Sequence, residues 1–194
     1  VRREPQYFQY QWVKTTMTDG YVIARGDLDG DGQASEFRLD VFLDADGTFQ
    51  AFEIRAKADM GAFLNTAAPN IVSSNTIRPY NQVYKIPGLT YRVEAMLTNA
   101  VPTDAYRGAG KPECAHVLER LIDLAANQMG IDRLELRRRN LITPDDLPYR
   151  TAVGETYDGG DFPRLLNMLE QSADWPGLDE RKADSRRRGV LRGA

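Results

Sequence analysis

The residues best suited to chemistry cluster in Arg107-Gly108-Ala109-Gly110, a loop of small residues running into Pro112 and Glu113. Glycine lets a backbone approach a ligand closely and present its N–H groups. A helix N-terminus behind such a loop adds partial positive charge, which suits an oxo-anionic centre or a phosphate. The competing reading is a surface loop in which Arg107 pairs with Asp104 and the glycines only turn the chain. Cys114 and His116 have the types of a nucleophile and a base, but two residues apart on a helix their side chains diverge. A small buried cysteine and a structural histidine are the simpler reading. Ser73 and Ser74 have no base assigned to them. Asp27-Leu28-Asp29-Gly30-Asp31-Gly32 imitates the start of a calcium loop. Its twelfth position is Arg38 rather than a bidentate glutamate, and Glu36 is misplaced, so a tight acidic turn is favoured. Arg137, Arg138 and Arg139 point around a helix and suit separate salt bridges better than one anion site.

These residues need elements to hold them. Phe37, Leu39, Val41 and Leu43 alternate with Arg38, Asp40 and Phe42, which predicts a strand. Asp44 to Gly47 predicts a turn. Phe49 to Ala58 returns as a second strand with Phe52, Ile54, Ala56 and Ala58 on one face. Leu89, Tyr91, Val93, Ala95 and Leu97 predict a third. The stretch 60–88, rich in Asn, Ser, Pro and Gly, reads as a long loop, a feature that is usually functional or packed against something further. Tyr7–Thr16 and Tyr21–Arg25 suit two more strands joined at Asp19-Gly20. The second half is helical. Val117, Leu118, Leu121, Leu124, Ala125 and Met129 form an apolar stripe between a Pro112-Glu113 first turn and a Gly130 C-terminal cap. Asp132 with Glu135 predicts a capping box opening a short helix through Arg139. Asp161 predicts the cap of a helix carrying Leu165, Leu166 and Leu169, and the arginine-rich tail from Arg181 predicts a solvated helix or a fraying end. Strands first and helices later define an α+β class, with antiparallel strands in the first half and helices in the second.

Composition narrows the function. The 194 residues are 42% hydrophobic and 27% charged with net charge −3, enough for a core and no footprint for nucleic acid. No run of about 18 apolar residues predicts a membrane span. One cysteine excludes an internal disulfide and a cysteine-based iron–sulfur or zinc site. No signal peptide is visible, so a cytoplasmic setting is the default expectation. The chain starts at Val1 without an initiator methionine, which reads as a trimmed or excised segment.

Val101 to Glu113 closely resembles the AYRGAGRPE-type loop of the large subunits of molybdenum hydroxylases, the xanthine oxidase/aldehyde oxidase family. The resemblance continues through Glu119, Arg120, Asp123, Ala125 and Ala126, then Met129 to Asp132, then Glu135 to Ile142. Pro148-Tyr149 and Gly154 to Phe162 look like the family's "PY…G…YDSGDF" segment. Ala58 to Phe63 and Tyr84 to Pro87 look like its "ADMGAY" and "Y-x-IP" segments. It covers residues 34–194, which the resemblance makes the central part of a molybdopterin-binding domain, and leaves 1–33 as a β segment or insertion. The resemblance implies a molybdenum–molybdopterin cofactor, in its cytosine dinucleotide form. Arg107, Gly108 and Gly110 would lie against it, with Arg107 at the metal's edge through its backbone, and Ala109 would stand beside the substrate. It implies hydroxylation of an aldehyde or electron-poor heterocycle with oxygen from water. Electrons would leave through 2Fe–2S clusters and FAD on partner subunits or domains.

Departures from the family pattern carry information. Copper-containing carbon monoxide dehydrogenases have a cysteine after the AYR triplet, where this chain has Gly108. Purine-oxidising members have a large aromatic at the position of Ala109 and an arginine at that of Asn75, which points to an aldehyde or another heterocycle, with Arg78 a weak substitute for the missing cation. The family's glycine-rich "GGGFG" loop and its "GVGE" segment with the catalytic glutamate are not in this sequence, so no catalytic base is assigned here and the chain reads as a fragment of an oxidoreductase. A non-catalytic binding or structural module and a calcium-stiffened surface domain remain as alternatives.

Overall fold

The computed structural model describes residues 9–14, 19–26 and 35–193. Five strands form one sheet in the order β1-β2-β3-β4-β5: β1 Gln9–Lys14, β2 Asp19–Gly26, β3 Ser35–Leu43, β4 Phe49–Asp59 and β5 Gly88–Met96. The alternation that predicts β3 and β4 sorts their side chains as expected. Leu39, Val41, Phe52, Ile54 and Ala56 are buried, whereas Arg55 and Lys57 face out. The β3–β4 turn closes with Gly47 N–H donating to the Asp44 carbonyl at 2.9 Å. Gly47 is left-handed, and a Cβ there would fall 2.8 Å from Leu136 Cδ1, so only glycine fits. Asp19 and Gly20 do not form the expected joint. They already pair with Phe42 and Val41 of β3, which places the β1–β2 connection at 15–18, outside the described residues. The calcium-like acidic run, Asp27 to Gly32, also lies outside them.

The first four strands are antiparallel as expected, but β5 joins β4 in parallel, with Ala51 opposite Gly88 and Asp59 opposite Met96. A parallel neighbour requires a crossover rather than a hairpin. Residues 60–87 supply it, and they are not the loop that their composition suggests. They fold as α1 (Ala68–Asn70), a π turn (Ile71–Asn75) and a 3-10 turn (Arg78–Asn81). Gly61 holds the crossover against the chain leaving β5, since a Cβ would lie 2.5 Å from Pro102 Cα.

The long helix α2 (Lys111–Met129) covers one face of the sheet. Cys114, Val117, Leu118, Leu121, Ile122, Ala125 and Ala126 are buried in a single core with Leu39, Val41, Phe49, Phe52, Ile54, Tyr80 and Tyr84. Gly130 ends α2 in the left-handed conformation with φ 68°, as its position predicts. Asp132 caps α3 (Arg133–Asn140) by accepting from the N–H groups of Leu134 and Glu135. The reciprocal half of the capping box is missing, because the Glu135 carboxylate accepts from Arg139 at 2.8 Å. The three arginines of α3 go separate ways: Arg137 to Glu119 and Asp123, Arg138 to Glu170, and Arg139 to Glu135. Burial works against the charge of Arg137, but those two carboxylates hold its pKa above the usual guanidinium range. Asn140 is the pin between halves. Its Oδ1 accepts the Phe49 N–H at 2.8 Å, and its Nδ2 donates to the carbonyls of Gly47 and Leu136. A small hairpin of β6 (Tyr149–Arg150) and β7 (Thr156–Tyr157) follows, then α4 (Phe162–Ser172), capped by Asp161, and α5 (Leu178–Arg187).

Candidate functional site

The loop entering α2 is built from three consecutive left-handed residues: Gly108 at φ 107°, Ala109 at 44° and Gly110 at 95°. Glycine takes such angles freely; an alanine does so against its Cβ. Ala109 is held there by its N–H donating to the Tyr106 carbonyl at 2.9 Å, followed by Lys111 N–H donating to Gly108 at 3.2 Å. Both glycines are required by their neighbours. A Cβ at Gly108 would meet Pro112 Cγ at 2.7 Å, and one at Gly110 would meet Thr76 Oγ1 at 2.5 Å and the Ile71 carbonyl at 2.8 Å. The crossover therefore locks the loop from behind.

In front of the loop lies a cleft of about 630 Å³. One wall is Gly108, Ala109 and Lys111; a second is Asn75, Arg78 and Pro79 of the crossover; the third is Glu155, Thr156 and Tyr157 of the small hairpin. The four residues singled out in the sequence divide. Gly108 and Ala109 line the cleft, Gly110 is buried against Thr76, and Arg107 is exposed beside it. Asp104 accepts the N–H of Ala105 at 2.7 Å, and no ion pair joins it to Arg107 among the described residues. Asn75 and Arg78, compared in the sequence with a substrate-anchoring position, share the cleft with Ala109. Lys111, Glu155, Thr156 and Tyr157 were not singled out from sequence. Lys111 sits within the loop motif of 101–113; the resemblance at 154–162 marked the segment of the other three, but nothing in it gave the fold-back that brings them opposite Ala109.

The electrostatics of the cleft favour an anion. Arg78 Nε stands 3.5 Å from Glu155 Oε1, and Lys111 has no ion pair among the described residues. No hydrogen bond among the described residues takes the N–H of Gly108 or Gly110. Burial raises the Tyr157 hydroxyl pKa above its ordinary value, with the nearby Cys114 and Glu155 adding to it, so it stays a neutral donor. The unpaired Gly108 N–H, two cations against the single Glu155 carboxylate and a neutral phenol fit a group rich in acceptor oxygens and negative charge.

Cys114 takes no part as a nucleophile. It is fully buried behind the loop, its Sγ accepts from Gln82 Nε2 at 3.1 Å, and burial pushes its pKa up to about 11. His116 is exposed on the opposite side of the same turn, so the two side chains diverge as expected. Ser73 Oγ donates to the Pro69 carbonyl at 2.6 Å, an ordinary helical back-bond. No helix among the described residues is long and apolar enough to cross a membrane.

An α+β domain with a left-handed, donor-rich loop at the head of its longest helix is a scaffold for an anionic cofactor. The chain belongs to the molybdopterin cofactor-binding domain family, whose model matches residues 27–141. It is 34% identical over 162 residues to the 6-hydroxypseudooxynicotine dehydrogenase complex subunit gamma of Paenarthrobacter nicotinovorans, covering 79% of this chain and 20% of that protein. It is 29% identical over 157 residues to the carbon monoxide dehydrogenase large chain of Hydrogenophaga pseudoflava, with the same two coverages, 79% and 20%. Among solved structures it is similar to quinoline 2-oxidoreductase from Pseudomonas putida 86, with TM-score 0.74 and 33% identity over 81% of this chain and 20% of that one. The chain thus spans about a fifth of the length of the relatives it matches.

Proposed function

We propose that this chain is the central part of the molybdopterin-binding domain, residues 34–194, of a molybdenum hydroxylase large subunit. The observation that carries the reading is the cleft faced by the left-handed run Gly108-Ala109-Gly110. Arg107, Gly108 and Gly110 would hold the cofactor through their backbone, with Arg107 nearest the molybdenum and Ala109 beside the substrate. Bound there, the cofactor supplies oxidation of a substrate carbon that gains a hydroxyl from water, with two electrons and two protons released. The chain's own residues position and select. The crossover fixes the loop through Gly110, the hairpin walls the cleft with Tyr157, and Ala109 leaves room that a large side chain would fill. An aldehyde or an aromatic heterocycle other than a purine suits a cleft in which Ala109 stands where the purine-oxidising pattern has a large aromatic ring and Asn75 stands where it has an arginine, with Arg78 one turn away.

No residue of this chain is assigned as the catalytic base; that group belongs to the rest of the large subunit. The reading further assigns the cofactor's cytosine dinucleotide form, 2Fe–2S and FAD partner subunits, and a cytoplasmic setting. The test is elemental and mass analysis of the parent protein purified with its partners. Molybdenum and a pterin cytosine dinucleotide in equal amounts are expected. A parent protein that never carries molybdenum would overturn the reading.

A further inference from the structure

The face of the sheet turned away from α2 carries a row of arginines. Arg38 of β3 stands opposite Arg55 of β4, and Arg55 stands opposite Arg92 of β5. Residues opposite one another share a face, and neighbouring strands lie about 4.8 Å apart, so the three side chains spring from backbone positions spanning only about 10 Å. Their strand neighbours Leu39, Ile54 and Ala56 are buried on the α2 side. Like charges set directly opposite repel one another. Each arginine turns along its own strand for relief, Arg38 to Asp40 at 3.0 Å, Arg55 to Glu53 at 2.6 Å and Arg92 to Glu94 at 2.9 Å. Exposed pairs of this kind add little stability. They also leave donors over. Arg55 gives two N–H groups to one oxygen of Glu53, and Arg92 reaches Glu94 through Nη2 alone. Lys57 stands one row on, opposite Glu94 in register, and makes no ion pair among the described residues. Arg38, Arg55, Lys57, Arg92 and Glu94 line a notch of about 280 Å³, four cations against one carboxylate. Side-chain exposure rises from 34% at Arg38 to 55% at Arg55 and 72% at Arg92, so the notch opens toward β5 at the edge of the sheet.

We propose that this row is a docking surface for a separate protein that lays an acidic α-helix across the strands. Spacing and charge both argue for that occupant. Carboxylates three or four residues apart on a helix lie about 5–6 Å from one another, close to the strand spacing that sets the row. Same-face residues of an extended segment lie about 6.6 Å apart and fall out of step with it. A guanidinium offers a carboxylate two parallel hydrogen bonds, which Arg92 does not use on Glu94. Apart from Ala56 at its floor, the notch is lined by charged side chains. A face of that composition suits a partner steered in by charge and released again, not a segment buried permanently in the fold. Helix α4, with Leu165 and Leu169 exposed, is the contrasting apolar surface.

The test uses the whole parent protein and a fluorescent, alanine-based helical peptide with a glutamate at every fourth position, titrated by anisotropy. A peptide of the same composition with its glutamates scattered round the helix is the comparison, and a single-stranded oligonucleotide of equal charge is a third probe. The aligned peptide is expected to bind more tightly than either, with an affinity that falls as salt rises. Arg55→Gln and Arg92→Gln each weaken it by about 5-fold or more, as expected for loss of a charge-assisted pair. Arg164→Gln, at an exposed arginine of α4, leaves it unchanged. Glu94→Gln removes the competing carboxylate and tightens binding, a gain that no loss of folding can imitate. No binding to the parent protein would overturn the docking surface, as would equal affinity for the aligned and scattered peptides. An oligonucleotide bound as tightly as the aligned peptide would overturn it in favour of a general polyanion site. So would an Arg55→Gln loss no larger than that of Arg164→Gln, or weaker binding in Glu94→Gln.

Discussion

Replacing Gly110 by alanine tests whether the crossover locks the loop. Two costs add. Holding alanine at φ 95° costs about 1–2 kcal/mol, because its Cβ crowds the following carbonyl. The new Cβ would also lie 2.5 Å from Thr76 Oγ1 and 2.8 Å from the Ile71 carbonyl. Thr76 is tied down by its own hydroxyl, which donates to that carbonyl at 2.5 Å, so it cannot simply rotate aside. Overpacking of that kind costs about 1–3 kcal/mol. The sum is about 2–5 kcal/mol, a large part of the roughly 5–15 kcal/mol that stabilises a domain. Gly130→Ala is the control. Gly130 is also left-handed, at φ 68°, but a Cβ there meets nothing within 4 Å, so only the conformational cost of about 1–2 kcal/mol remains. Ala109, already at φ 44°, shows that this fold tolerates that cost where space is open. Urea unfolding followed by circular dichroism reads both variants. With a slope of about 2 kcal/mol per molar, Gly110→Ala lowers the midpoint by about 1–2.5 M and Gly130→Ala by less than about 1 M. Adding Thr76→Ala to Gly110→Ala recovers part of the loss by removing the nearest atom. Equal losses for the two glycine variants, or no recovery in the double variant, would refute the locked loop.

Three further outcomes are expected. Asn140→Ala leaves the buried Phe49 N–H and Gly47 carbonyl without partners, costs about 2–4 kcal/mol, and makes the Phe49 amide lose its protection in hydrogen exchange. In α4, Leu165, Met168 and Leu169 lie 54%, 53% and 58% exposed, so the isolated chain should self-associate, and Leu169→Glu should reduce this in sedimentation with little change in stability. Burial raises the Cys114 thiol to about 11, so the native protein keeps its proton where the unfolded chain loses it. That contribution to stability is present below the unfolded thiol's pKa of about 8.5 and is lost as pH rises through about 11. Cys114→Ser should flatten this alkaline fall in urea titrations between these limits; an unchanged slope would show that the thiol plays no part.

Local features of the fold are legible in the sequence. Alternation at Leu39 and Val41 and at Phe52 and Ile54 marks the hairpin, and Gly130, Asp132 and Asp161 sit at the helix ends they predict. Alternation does not carry strand direction, so Tyr91 and Val93 would sort in the same way whether β5 ran parallel or antiparallel to β4. The parallel answer follows from where the crossover docks, with Gly61 against Pro102 and with Ile71 and Thr76 against Gly110, which are contacts between distant segments. Asn and Ser in 60–88 suggest a loop because such residues compete with helix hydrogen bonds. Here the short turns are instead held by tertiary contacts, as when the Tyr91 hydroxyl donates to the Val72 carbonyl. The loop at 107–110 was visible through its glycines and its family resemblance. The opposing wall of Arg78, Glu155 and Tyr157 was not, because it assembles from two segments 77 residues apart in sequence, Arg78 to Glu155.

We propose that the cofactor sits against the left-handed loop and leaves the cleft beside Ala109 to the substrate. Anomalous diffraction at the molybdenum edge from crystals of the loaded parent protein would locate the metal without reference to any assumed pose. A single molybdenum peak is expected at the mouth of this cleft, beside Arg107 and Ala109. A peak remote from the loop would contradict it.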